Sequence, residues 1–142
     1  MYSKEPNTVK QNEWLLWIAM PFGTIIGAAL GGALIGGFFW LSAKFWGSAS
    51  VDGWFYIYVA PFISSLAFGY LWGYLAGLIA PRGKVVATTV MATLLVLLMI
   101  IGVFVVWKSP TIPTGRAIKD TVSFIAVTIA VVIATIHVAN EN

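Results

Sequence analysis

His137 is the one imidazole in a chain of 142 residues that holds no cysteine. A neutral imidazole is a common axial ligand, so His137 is a candidate for holding a haem or a chlorophyll. It falls about one turn before the end of the last apolar stretch, and no second ligand lies near it in sequence. The competing role is an ordinary polar residue at a helix end. Tyr70 and Tyr74 form the other candidate group. They lie, with Trp72, deep inside an apolar stretch, and at i, i+4 spacing they stack on one helical face. Such a pair could wall a groove for a lipid, quinone or pigment ring. It could equally be aromatic packing beside a helix crossing, with each hydroxyl bonded to a nearby oxygen.

Thr121, Thr128 and Thr135 recur every seven residues beside the small series Ala126, Ala130, Ala134, and Thr88, Thr89 and Thr93 cluster in the preceding stretch. Hydroxyls so placed could line a wet path, but more often they bond a local carbonyl or a neighbouring helix. Missing thiols exclude disulfides, thiolate metal sites and iron–sulfur ligation. Beyond first turns, the apolar stretches hold no Asp, Glu, Lys or Arg, the residues that mark ion paths and proton relays inside membranes. No Ser–His or carboxylate pair is visible. The sequence therefore predicts no enzyme, no metal and no cofactor.

The elements that would position these groups are announced by glycine. Gly23, Gly27 and Gly31 form one ladder, with Ala28, Gly32 and Gly36 beside it; Ser65, Gly69, Gly73 and Gly77 form another. Glycine in a water-exposed helix costs about 1 kcal/mol against alanine. In lipid, helix association gains nothing from the hydrophobic effect and relies on close backbone approach, which small residues at four-residue spacing permit. The ladders predict that the first two helices cross through these two faces, or that one face seats a partner.

Charged residues make up only 9% of the chain, against roughly 25% in soluble domains, and that places it in a membrane. Four apolar spans reach the roughly 20 residues a bilayer core requires: about 14–42, 54–80, 85–107 and 117–139. The first is too long, and its polar lead too mixed in charge, for a signal peptide. Pro21 should kink it, leaving an entry turn near the interface and a tilted span from about Pro21 to Leu41. Pro61 holds a comparable early position in the second span, and Thr114 is the expected N-cap of the fourth. The connections are short, and the tightest, Pro81-Arg82-Gly83-Lys84, reads as a turn. Short connections make consecutive helices antiparallel neighbours. Trp40, Trp46, Trp54 and Trp107 then share one membrane face as an aromatic belt, with Trp14 and Trp17 at the other. The predicted fold is a single all-α membrane domain over 1–142: four antiparallel transmembrane helices with glycine-ladder packing.

Both termini fall on one side. Lys4, Lys10, Arg82 and Lys84 on that side balance Lys44, Lys108, Arg116 and Lys119 on the other, so the positive-inside count is tied. Arg82 and Lys84, held in a tight turn, favour a cytoplasmic side for the termini. Their two charges fall short of the four to eight that signal lipid recognition. The expected place is a multi-pass position in a bacterial-type inner membrane. A 40-residue echo matches Trp14, Pro21, Phe22, Gly37 and Lys44 with Trp54, Pro61, Phe62, Gly77 and Lys84, a coincidence level that biased composition also produces. Eight Lys/Arg against five Asp/Glu without a basic run argue against nucleic acid.

The function these features predict is a small non-catalytic membrane protein, an accessory or assembly subunit of a complex or a self-associating scaffold. Its partners would be membrane lipids and other membrane subunits, or copies of itself. The alternatives are a small transporter or channel with its pathway between protomers, and a pigment-, quinone- or haem-binding subunit using His137 or Tyr70 and Tyr74.

Overall fold

Apolar sequence with little charge folds here into helix and turn. The computed structural model describes residues 8–46 and 53–141. The polar lead before residue 8 with its Lys4, the middle of the first connection at 47–52, and the side chains of Lys10 and Trp46 lie outside the described residues. Four long helices follow one another: α1 (Thr8–Trp46), α2 (Ala60–Ile79), α3 (Lys84–Lys108) and α4 (Thr114–Asn140). All four are long and apolar enough to cross a membrane, α2 together with the turn that leads into it. This is the architecture of a multi-pass membrane protein.

The helices exceed the expected spans most at α1, which starts six residues before Trp14 and runs for 39 residues. At 1.5 Å per residue it reaches about 58 Å, well beyond a hydrocarbon core of about 30 Å. Pro21 lies inside it without ending it. The ring removes one backbone donor, and the Trp17 carbonyl loses its bond, but the helix carries on through the site.

Pro61 acts differently. It sits in the first turn of α2, where a missing N–H costs nothing. The segment before it, Phe55–Val59, is wound as a π-helix, with the Ala60 N–H bonded to the Phe55 carbonyl. A proline ring clashes with the carbonyl four residues back, here Ile57. Widening the preceding turn to a five-residue bond relieves that clash. The second span is thus a π turn followed by an α-helix.

Gly83 makes the tight turn possible. It is the one described residue with positive φ, at φ 63° and ψ 46°. That left-handed conformation costs an L residue about 1–2 kcal/mol, and glycine is spared it. The Gly83 carbonyl then accepts the Ala87 N–H and starts α3. The expected N-cap of α4 is displaced by one residue. Pro113, extended at ψ 142°, takes the cap position without a side-chain bond, and its carbonyl accepts from Arg116 and Ala117. Thr114 is the first helical residue.

All three other helices pack on α2, and α3 also packs on α4. The core along α2 gathers Met20 and Ala28 of α1, Trp72 and Ala76 of α2, Ala87, Met91 and Leu95 of α3, and Val127 and Val131 of α4. Trp72 is 4% exposed, and its indole N–H donates to the Met91 carbonyl at 2.9 Å. A buried indole left without that acceptor would cost about 1–3 kcal/mol. Outward, Phe22, Leu30, Leu34, Phe38 and Phe45 of α1 are all more than half exposed. Water would penalise that surface; acyl chains do not.

Candidate functional site

The two glycine ladders face different helices. Gly23, Gly27 and Gly31 of α1 look onto Ile79, Leu75 and Leu71 of α2, so the pairing descends α2 as it ascends α1. These neighbours are tips of flexible side chains that fill the grooves the glycines leave. Gly69, Gly73 and Gly77 turn instead towards α4. A Cβ on Gly69 would lie 2.5 Å from the Val127 carbonyl oxygen, one on Gly73 2.7 Å from the Ala134 Cβ, and one on Gly77 2.9 Å from Val138 Cγ1 and 2.8 Å from Thr88 Oγ1. Here the pairing ascends both helices. At Gly69 backbone meets backbone, and glycine alone has room for that approach; at Gly73 and Gly77 the close neighbours are short side chains. The expected crossing of the two ladder faces against each other does not occur.

That close approach brings the candidate aromatic pair to the candidate imidazole. Tyr70 and Tyr74 stack with ring centroids 6.0 Å apart and planes inclined by 10°. Each meets the His137 ring edge-on at 6.1 Å. The Tyr70 hydroxyl lies 3.0 Å from His137 Nδ1, and His137 Nε2 lies 2.9 Å from Glu141 Oε1. A carboxylate only accepts, so in the neutral ring the Nε2–H donates to Glu141 and Nδ1 accepts a hydrogen bond from the Tyr70 hydroxyl. The result is a donor chain Tyr70→His137→Glu141 running along the surface from half-buried Tyr70 to the exposed end of α4. Glu141 was absent from the candidate residues read in sequence. Its place four residues after His137 on one helical face was the available signal.

Both ring nitrogens of His137 are engaged by protein groups in this arrangement. The cluster offers an aromatic wall with a polar rim. Tyr74, Gly77, Lys84, Val138 and Glu141 line a small recess beside it, bringing the start of α3 to the end of α4. At the same end of the bundle Arg82 Nη2 meets Glu13 Oε1 at 2.9 Å and ties the start of α1 to the tight turn. The pair is exposed, so its energetic worth is small, at most about 1 kcal/mol.

The threonines take the local option. Thr88, Thr89 and Thr93 donate to the carbonyls of Lys84, Val85 and Thr89, and Thr121, Thr128 and Thr135 to those of Ala117, Phe124 and Val131, all at 2.8–2.9 Å. Each bond stays within its own helix. Thr121 also accepts from the Trp107 indole at 3.0 Å, joining the end of α3 to the start of α4. Thr24 of α1 differs: its hydroxyl is fully buried with no partner among the described residues.

Trp14, Trp17, Trp40, Trp54 and Trp107 are all between 42% and 72% exposed, with the Lys44 ammonium 4.8 Å over the Trp40 ring. The two copies of the 40-residue echo sit in unlike surroundings. Gly37 meets open space where Gly77 is packed, and α1 continues as α-helix through Pro21 where a π turn precedes Pro61. Compared with protein families, with curated proteins and with solved structures, the chain finds no match.

Proposed function

We propose that this chain is a multi-pass protein of a bacterial-type inner membrane, four antiparallel helices joined through glycine ladders, and that it serves as a non-catalytic accessory or assembly subunit or as a self-associating scaffold. The observation that carries this reading is that much of the polar inventory of the spans is already bonded within the chain. Six threonines, from Thr88 to Thr135, bond their own helices, Trp72 bonds Met91 and Tyr70 bonds His137. Groups spent in this way hold helices in place and leave little to line a path or attack a substrate. Both ladders meet helices of the same chain, so neither glycine face is left to form a pathway between protomers. The long apolar flank of α1 away from α2 remains free for a neighbouring subunit. The start of α1 and the end of α4 share one end of the bundle, the end this proposal puts in the cytoplasm on the strength of Arg82 and Lys84.

A second reading, a subunit binding a quinone or pigment ring, draws on the Tyr70–Tyr74–His137 wall. Purification from the native membrane in mild detergent separates the two. The proposal expects a colourless preparation with stoichiometric membrane partners or a defined homo-oligomer. A bound chromophore lost on Tyr74→Ala would replace it with the second reading, and a colourless monomer without partners would overturn both.

A further inference from the structure

At the opposite end of the bundle from His137, a groove of about 390 Å³ opens between the start of α2 and the first turns of α4. That volume is within the roughly 300–1,000 Å³ of small-molecule sites. Its floor is apolar: Val59, Phe62, Ile118 and Val122. Three polar side chains line it, Tyr58 of the π turn and, one helical turn apart on α4, Lys119 and Ser123.

Lys119 is half-buried and has no carboxylate within 4 Å among the described residues. Asp120, the next residue, does not line the groove and makes no ion pair with it. Thr121, Thr128 and Thr135 bond their own helix, whereas the Ser123 hydroxyl has no partner among the described residues. Depth is set by Trp107, whose indole bonds Thr121, two residues from Lys119. Interfacial tryptophans sit at headgroup level, so the ammonium lies where phosphates lie and the serine lies four residues, about 6 Å, deeper.

We propose that this groove binds one phospholipid with an anionic headgroup from the surrounding bilayer. The phosphate pairs with the Lys119 ammonium. A glycerol ester carbonyl, which lies deeper than the phosphate in such a lipid, accepts from the Ser123 hydroxyl. An acyl chain runs inward along Ile118, Phe62 and Val122. The positive end of the α4 dipole adds to the preference for a negative headgroup. The inference rests on the chain spanning a membrane and is independent of whether it assembles with other subunits.

The test is native mass spectrometry of the detergent-solubilised full chain titrated with phosphatidylglycerol and, separately, phosphatidylcholine. Wild type is expected to retain one phosphatidylglycerol in preference to phosphatidylcholine. Lys119→Gln is expected to weaken phosphatidylglycerol retention roughly fivefold, the scale of one cation near an anionic lipid, while Lys119→Arg keeps the preference. Lys44→Gln removes a cation at the same bundle end but outside the groove, and is expected to change nothing. Equal retention of both lipids by wild type, undiminished retention in Lys119→Gln, loss in Lys119→Arg, or an equal loss in Lys44→Gln would each overturn the site.

Discussion

Two glycines of equal appearance in sequence differ in what an added methyl would strike. At Gly69 it meets the Val127 backbone, carbonyl oxygen at 2.5 Å and Cα at 3.0 Å; at Gly37 it meets nothing within 4 Å. Backbone cannot step aside, so Gly69→Ala must push α2 and α4 apart. The expected loss is about 1–3 kcal/mol, the usual range for overpacking. Gly37→Ala should be neutral or stabilising by up to about 1 kcal/mol, since alanine is the better helix former. Unfolding midpoints in a single detergent check both, and a Gly69→Ala protein as stable as wild type would refute the close-approach account. Sequence spacing marks Gly69 as a packing residue. It does not reveal whether the neighbour is backbone or a leucine tip, because that depends on which helix arrives. The same limit applies to Tyr70, Tyr74 and His137. Each was legible as unusual by depth or by rarity, but their meeting depends on the rotation of α4 about its axis.

Among the elements, α2 departs most from the expected regular span. The π turn Phe55–Val59 exists because Pro61 sits four residues after Ile57. It also places the Tyr56 hydroxyl, which donates to the Phe39 carbonyl of α1 at 2.8 Å. Pro61→Ala restores an N–H and removes the ring clash, so this segment should rewind as α-helix. The expected readout is slower amide hydrogen exchange across residues 55–61, followed by peptide mass spectrometry. Exchange as fast as in wild type would show that the wide turn has another cause. Sequence marks both prolines alike, yet Pro21 interrupts nothing while Pro61 follows a widened turn. Pro61 lies one residue inside a new helix and Pro21 thirteen residues inside an existing one, where propagated bonds on both sides outlast one missing donor.

For the whole molecule, the bond from Arg82 to Glu13 and the recess shared by Lys84 and Glu141 gather the start of α1, the tight turn and the end of α4 at one end. If four helices cross the bilayer, single cysteines at Thr8 and Asn140 should label from one membrane face and Ser109→Cys from the other. The natural absence of cysteine makes each label unique. Labelling of Thr8→Cys and Asn140→Cys from opposite faces would break the four-span arrangement, whichever face proves cytoplasmic.

Helical class, the number of spans and the membrane as solvent were determined by the sequence alone. Each is a property of local runs: apolar length against bilayer thickness, and the near-absence of charge within it. The partners of each face were decided only in the tertiary structure. The apolar faces of these helices are nearly interchangeable, and lipid tails would satisfy them as well as another helix does. The choice of α4 rather than α1 for Gly69, Gly73 and Gly77 therefore rests on shape. Val127, Val131, Ala134 and Val138 of α4 admit the α2 backbone, whereas α1 offers its own glycine groove to Leu71, Leu75 and Ile79. Two grooves facing each other would leave a void; each has instead met surface that fills it.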